Sequence, residues 1–320
     1  MQVQCKHLQV CEGDIVIAYI IRRLIQIIPV ILGITLIIFV LLRISGDPVT
    51  LLLPEDAPLE QIEQLRRSLG LDRPIWQQYL IFMADLFQGD FGRSLLYSNQ
   101  PVLPIVLERL PATLELTAAA LVVGVVISLP AGIIAALYPR RWQDYSATGF
   151  AILGQAMPNF WLGIMLILIF SVTLRWLPVS GRDTWRHLIL PAFTLGTALS
   201  AVLMRLMRSS LLEILSQDYV RTARAKGLRQ RWVVIKHALR NALIAYITVL
   251  GLQMANLMAG ALITEQVFAW PGIGRLAIQA INARDMAVVQ AVVILASLIV
   301  MGANLLVDLV YVLIDPRIQY

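Results

Sequence analysis

The chain has 320 residues, of which 58% are hydrophobic and 14% are charged, and its formal net charge is +6. This composition excludes an ordinary soluble domain, in which about a quarter of the residues are charged, and it indicates a protein that lives in a lipid bilayer. A nucleic-acid partner is also excluded, because such proteins present a soluble basic face that this sequence lacks.

Six apolar segments have the length of a membrane-spanning helix, which needs about 20 mostly apolar residues. They are residues 24–42, 113–137, 147–174, 188–207, 241–263 and 287–313. Prolines and glycines interrupt several of them, which membrane helices tolerate when neighbouring helices satisfy the freed backbone groups. We therefore expect an all-α membrane protein with six transmembrane helices.

The first span follows Arg22-Arg23 and could be mistaken for a signal peptide. Its apolar run is longer than that of a signal peptide, and no small-residue cleavage site follows it, so we expect 15–42 to be a retained transmembrane helix. Residues 1–14 form an N-terminal cytoplasmic extension that is either disordered or upstream of the true start. Its Cys5 and Cys11 are expected to be reduced thiols.

Lysine and arginine residues gather at one end of the predicted spans, and that end is expected to be cytoplasmic. They are Arg22, Arg23, Arg140, Arg141, Arg205, Arg208, Arg221, Arg224, Lys226, Arg229, Arg231, Lys236 and Arg240. Both termini are then cytoplasmic. Residues 43–112 form an extracytoplasmic insertion of mixed charge, in which one short helix starts near Pro58 and ends at Gly70 and a second runs from Pro74 to Gln88. They predict a small folded cap or an interfacial layer.

Residues 218–243 predict a basic helix, a glycine break and a second amphipathic helix between two apolar spans. Asp218 can cap the first helix, and Gly227 can take the left-handed conformation that ends it. Apolar residues then recur with helical spacing at Trp232, Ile235, Leu239 and Ala242. The pattern predicts a rigid docking element, and the alternative is a basic loop that only satisfies the topology.

This segment resembles the cytoplasmic coupling loop of permease subunits of ATP-binding-cassette (ABC) importers, with Ala223, Gly227 and Leu239 at the spacing of that motif. The usual Glu-Ala-Ala start reads Arg221-Thr222-Ala223, and the usual late proline is Arg240, as in the dipeptide, oligopeptide and nickel branch. Similar matches to that branch extend from about residue 18 to the end of the chain. They include Gly-Asp-Pro at 46–48, the segments 69–74 and 89–94, Arg109-Leu-Pro-Ala-Thr-Leu-Glu-Leu, residues 265–275 and Asp315-Pro-Arg-Ile.

The resemblance implies a type I ABC importer permease fold like that of the methionine importer, with the insertion after its first helix. A five-helix permease core over 113–320 would then contain the coupling loop 209–240. The residues expected to couple to the ATPases are Asp218, Tyr219, Arg221, Thr222, Ala223, Arg224, Ala225, Lys226, Gly227, Leu228 and Leu239. The implied partners are a homologous permease in a heterodimer, two cytoplasmic ABC ATPases and an extracytoplasmic solute-binding protein.

No catalytic chemistry is predicted for this chain. Its three histidines, His7, His187 and His237, are scattered, and no His-Glu-x-x-His or Cys-x-x-Cys motif occurs. A Gly-x-x-x-x-Gly-Lys-Ser/Thr phosphate loop is also absent. We therefore expect no enzyme, cofactor or metal site here, and ATP and Mg²⁺ are expected on the partner ATPases.

Two further polar features have alternative interpretations. Glu265, with the Trp270-Pro271-Gly272 turn, is predicted to line an outer gate or to contact the binding protein, and Trp270 could instead anchor the chain at the membrane interface. Asp308 lies inside the last span, where an ionisable group is a functional candidate, although a structural salt bridge explains it equally well.

The resemblance implies import by alternating access, with a short peptide, possibly glutathione, as the solute. Nickel or a nickel chelate is the alternative within the same family. A different class is a secondary transporter or channel that works alone, which would carry inverted repeats or several buried ionisable groups along its pathway.

Overall fold

The computed structural model describes residues 25–41, 44, 58–68 and 70–314, without the side chains of 65, 68 and 307–314. The predicted extension 1–14, the start of the 15–42 span and the Asp315-Pro-Arg-Ile end lie outside the described residues. The described part contains eleven helices and no β-strand, which confirms the all-α fold. The helices are α1 (Ile25–Leu41), α2 (Leu59–Ser68), α3 (Ile75–Phe87), α4 (Val102–Leu137), α5 (Trp142–Ala156), α6 (Asn159–Leu166, continued by a π-helical turn at Ile167–Thr173), α7 (Arg186–Leu215), α8 (Asp218–Ala225), α9 (Gln230–Val267), α10 (Ile273–Asn282) and α11 (Met286–Ile314).

All six predicted spans coincide with apolar helices. Helices α4, α7, α9 and α11 are each long and apolar enough to cross a membrane, and α1 is a shorter apolar helix. The third predicted span, 147–174, is corrected, because α5 and α6 with its π-turn form a pair bent by 106°. The bend follows from Pro158, which has no N–H to continue the helical ladder and forces Met157 into an extended conformation with ψ 125°.

The chain divides into two compact units, one formed by Met1–Glu108 and Leu276–Ile299 and the other by Arg109–Arg275 and Val300–Tyr320. The core of the second unit is a cluster of buried apolar residues on α4, α7 and α9, among them Leu116, Leu203 and Tyr246. Helix α7 lies at its centre, where small residues let neighbouring helices approach closely. A Cβ on Gly132 of α4 would lie 2.7 Å from Met207 Cβ, so this glycine permits the close packing of α4 on α7.

The first unit contains the predicted pair of short helices, α2 and α3, at the expected positions. Beyond them, the loop at Ser94 is tied to the start of α11 by Asp285, which is fully buried. Asp285 accepts hydrogen bonds from Ser94 Oγ at 2.5 Å and from the backbone N–H of Leu96 at 3.0 Å. Its other carboxylate oxygen accepts a 3.3 Å bond from the N–H of Val288 and so caps α11. No motif or spacing in the sequence indicates this contact.

Candidate functional site

Helix α8 contains most of the predicted coupling residues and runs from Asp218 to Ala225. The predicted cap is wrong, because the residue before the helix is Gln217 and no side chain caps it. Asp218 lies in the first turn instead, where a negative charge still favours the positive end of the helix dipole. Its carboxylate is also 3.6 Å from the guanidinium of Arg221, an exposed pair that adds little stability.

One face of α8 packs on the rest of the second unit and the other is exposed. Val220 and Ala223 are buried and form a small apolar cluster with Val233 of α9. The remaining predicted residues from Asp218 to Leu228 are all exposed: Asp218, Tyr219, Arg221, Thr222, Arg224, Ala225, Lys226, Gly227 and Leu228. The helix therefore presents a polar, mainly basic ridge on an apolar base. Val220 belongs to that base and was missed by the sequence analysis.

Gly227 ends this element as predicted, with a left-handed φ of +77°. Its N–H donates a 3.0 Å hydrogen bond to the carbonyl of Arg224, which satisfies one of the free carbonyls at the helix end. A Cβ on this glycine would meet nothing within 4 Å. The requirement for glycine is therefore set by the backbone conformation and not by space.

The return helix α9 packs through a different face from the one predicted. Trp232 and Ile235 are 59% and 60% exposed, whereas Val233, Val234 and Ala238 are buried. The reason is a π-helical turn over Val233–Leu239, which changes the number of residues per turn and rotates the buried face. Of the predicted stripe, only Ala242 is fully buried, and Leu239 packs partly against the core.

A hydrogen bond joins α8 to α9. Asn241 Nδ2 donates to the hydroxyl oxygen of Tyr219 at 2.9 Å, and it also donates to the carbonyl of His237 at 3.3 Å. Together with the Val220 cluster, this bond fixes the orientation of α8 relative to the start of α9. A movement of the ridge would therefore be transmitted to a membrane-length helix.

The predicted outer turn is organised around the carboxylate of Glu265, which is fully buried. Thr113 Oγ1 donates to it at 2.6 Å and the backbone N–H of Arg275 at 3.0 Å. The Thr113 hydroxyl accepts a 2.9 Å bond from the N–H of Ile273, so one network joins α4 to both sides of the turn. A Cβ on Gly272 would lie well inside the van der Waals contact distance of Glu265 Oε1. Glycine is needed here for close approach.

Trp270 is 1% exposed, and its indole N–H donates a 2.8 Å hydrogen bond to the carbonyl of Ala112. A buried indole of this kind is a packing element, so interfacial anchoring by its side chain is wrong. Direct contact of the Glu265 carboxylate with a binding protein is also inconsistent with its burial in this chain. The gate or binding-protein role of the Glu265, Trp270, Pro271 and Gly272 turn as a whole stays a prediction.

A partly buried ion pair that was not predicted from the sequence joins α5 to α7. Arg208 Nε and Nη2 donate to the two carboxylate oxygens of Asp144 at 2.5 and 2.7 Å. The Asp144 side chain is 5% exposed and that of Arg208 is 31% exposed. Asp144 also accepts a 3.0 Å bond from the N–H of Arg140, in the turn before α5. This pair holds α5 against the end of α7 that leads into α8.

Replacing Asp144 with asparagine should destabilise the purified protein by about 1–3 kcal/mol, because the Arg208 guanidinium would lose its charged partner while still partly buried. The matched control is Glu115→Gln, which breaks the pair of Glu115 with Arg182, whose side chains are 41% and 37% exposed. That change should cost less than about 1 kcal/mol. Thermal denaturation in detergent measures both, and equal shifts would contradict the structural role of the Asp144 pair.

Two remaining predictions concern Asp308 and the absence of a bound metal or cofactor. Asp308 falls in the last helix, but its side chain is outside the described residues, so its role stays a prediction. In the described part of the chain no three His, Cys, Asp or Glu side chains come together as metal ligands. The expectation that the chain holds no cofactor or metal of its own also stays a prediction.

Similarity to known protein families shows which family this chain belongs to. Residues 128–320 match the family described as "Binding-protein-dependent transport system inner membrane component", and residues 16–117 match its N-terminal component. The chain belongs to this family of inner-membrane permease components. It is a multi-pass membrane protein and a transporter subunit, as the resemblance implied.

Among curated relatives, the chain is 43% identical over 303 residues to the "Glutathione transport system permease protein GsiC" of Escherichia coli (strain K12). The match covers 94% of this chain and 99% of the relative. The protein of the same name from Shigella flexneri serotype 5b (strain 8401) shows the same identity and coverage. These relatives are permease proteins, in agreement with the family assignment.

Among solved structures, the chain resembles a chain of the MetNI methionine ABC transporter in an inward-facing conformation. The TM-score is 0.58 at 19% sequence identity, and the match covers 66% of this chain and 96% of that one. At this identity the likeness establishes the fold alone. It confirms the type I ABC importer permease fold predicted from the coupling-loop motif.

Proposed function

We propose that this permease imports short peptides, with glutathione as the primary candidate, in an ATP-driven transporter. The supporting observation is the 43% identity to permeases named for glutathione transport, over nearly the full length of both chains. Nickel or a nickel chelate is the alternative substrate within the family. The described spans offer no cluster of three metal ligands, which favours a peptide over a bare metal ion.

The partner ATPases act on this chain through the basic ridge of α8. Its exposed basic residues, held on the apolar base of Val220 and Ala223, suit a groove on one of two cytoplasmic ABC ATPases, which carry ATP and Mg²⁺, and the second ATPase docks on the other permease. A homologous permease completes a heterodimer, and an extracytoplasmic solute-binding protein delivers the solute. Closure of the ATPases draws the two coupling helices together and opens the pathway outward, and hydrolysis restores the inward-facing state.

Reconstitution with purified partners tests this function. The chain alone in liposomes should show no ATP hydrolysis, whereas the complex with its sister permease and ATPases should hydrolyse ATP faster when liganded binding protein is added. Glutathione, a dipeptide and a nickel chelate are supplied in separate assays to identify the solute. Uptake by liposomes that contain only this chain, driven by an ion gradient and indifferent to ATP, would establish the secondary-transporter alternative.

Charge reversal on the ridge should uncouple this complex. Arg224→Glu with Arg229→Glu should greatly reduce the stimulation of ATP hydrolysis while membrane insertion stays near normal, because both residues are exposed and outside the apolar core of the spans. The matched control reverses Arg67 and Arg73, which are exposed on the insertion. Equal loss of stimulation in both double variants would contradict α8 as the docking site.

The proposed topology has both termini in the cytoplasm and residues 43–112 outside as the extracytoplasmic insertion. In intact cells a membrane-impermeant thiol reagent should therefore label cysteines introduced at Glu60 or Asp183, both of which are exposed. The native Cys5 and Cys11 should react only after the cells are opened. Labelling of Cys5 in intact cells would reverse the orientation.

A further inference from the structure

Helix α3, which the sequence places in the insertion, packs along the first membrane-spanning helix. The hydroxyl of Tyr79 lies 3.0 Å from Thr35 Oγ1 and donates to the carbonyl of Leu32 at 3.3 Å. The ring of Phe39 contacts Tyr79 and Phe82 with centroid distances of 5.4 and 5.9 Å. Helix α3 therefore lies beside α1 from Leu32 to Phe39.

This contact is well inside the span. Thr35 precedes Leu41 by about 9 Å along the helix axis at 1.5 Å per residue. The described part of α1 is itself about 25 Å long, which is shorter than the roughly 30 Å hydrocarbon core of a bilayer. Tyr79, and with it the middle of α3, therefore lies below the membrane surface at the Leu41 end of α1.

A second face of α3, adjacent to the one that contacts α1, is apolar and exposed in this chain. Trp76, Leu80 and Phe87 are 62%, 58% and 84% exposed, and with exposed Ala84 they form one stripe at helical spacing. The only charged residue of α3 is Asp85, which is exposed near its carboxyl end. Beside this stripe, a groove between α1 and α3 is lined by apolar residues of both helices, including Leu36 and Val40.

Hydrogen bonds organise the turns at both ends of α3. Gln78 Nε2 donates to the carbonyls of Arg73 and Leu71 at 2.7 and 3.3 Å, in the turn before the helix. At the other end, the N–H groups of Gln88 and Asp90 donate to carbonyls of the last turn of α3. The carboxyl end of α3 is therefore closed by internal hydrogen bonds, whereas its amino end has no side-chain cap.

We propose that α3 is embedded in the bilayer leaflet at the Leu41 end of α1, the outer leaflet in the proposed topology, and that lipid acyl chains fill the groove and cover the stripe. Lipid is favoured over a protein partner because the stripe is continuous with α1 residues that are themselves exposed and apolar, such as Leu36 at 47% and Leu41 at 56%. The inference depends on the location of α1 in the membrane and not on the solute.

Electron paramagnetic resonance on spin-labelled transporter tests this proposal. With Cys5 and Cys11 replaced by serine, single labels are placed at Leu80→Cys or Ala84→Cys in the full complex in phospholipid liposomes. The references are Ile37→Cys, 59% exposed on α1, and Glu60→Cys on charged α2. Spin labels on α3 should be highly accessible to oxygen and poorly accessible to a water-soluble nickel chelate. The label at Ile37 is expected to show the same pattern.

Two outcomes would overturn the proposal. Nickel-chelate accessibility equal to that of the Glu60 label would place α3 in water. Labels shielded from both oxygen and the chelate would mean that protein, such as the second permease, covers the stripe. Because Ala84→Cys is a small change at an exposed position, it still reports if Leu80→Cys fails to assemble.

Discussion

Gly227→Val should abolish solute uptake while the protein still reaches the membrane at normal abundance. With φ at +77°, a β-branched residue is strained by roughly 1 kcal/mol or more, and it can relieve the strain only by changing the backbone that ends α8. The change would shift the basic ridge relative to its base of Val220 and Ala223. Uptake of radiolabelled glutathione, normalised to membrane content, is the measurement.

Two controls separate the backbone conformation from side-chain bulk. Gly227→Asn should keep much of the uptake, because asparagine tolerates the left-handed region better than other residues with side chains. Gly149→Val places the same bulk at a helical glycine of α5, where an added Cβ meets nothing within 4 Å, and should have little effect. Normal uptake by Gly227→Val at normal abundance would reject the role assigned to this glycine.

Gly272→Val should prevent stable folding of the permease. The new side chain would occupy the position of the Glu265 carboxyl group, which cannot move without losing its hydrogen bonds to Thr113 and to the backbone of Arg275. Overpacking typically costs about 1–3 kcal/mol, and each buried donor left unsatisfied adds about 1–3 kcal/mol. The expected result is a strong loss of monodisperse protein on size-exclusion chromatography in detergent.

The matched control for this clash is Gly302→Ala in α11, where an added Cβ meets nothing within 4 Å. It should be neutral or slightly stabilising, because alanine has the higher helix propensity. Gly272→Ala should be intermediate, since it adds a single carbon at the same position. Wild-type yield and thermal stability for Gly272→Val would show that Glu265 does not organise this turn.

The positions of the apolar helices could be predicted from sequence because membrane insertion depends on local hydrophobicity, which each segment carries by itself. The bend that divides the third predicted span was not predicted. The helix break at Gly227 was predictable for a related reason, since a left-handed backbone conformation strongly favours glycine. The buried face of α9 was not predictable. Trp232 and Ile235 fit an ordinary α-helical stripe, and the π-turn that exposes them adjusts the helix to its neighbours.

By itself, the sequence determined the membrane class, the span pattern and, through the coupling-loop motif, the permease family. Only the tertiary structure decided what the polar residues do. Glu265, Asp285 and Asp144 each act through partners that are distant in sequence, at Thr113, Ser94 and Arg208. The packing of α3 on α1 was decided in the same way, by the Tyr79 contact with Thr35. Such pairings depend on how helices assemble, and hydrophobic pattern and local spacing do not encode them.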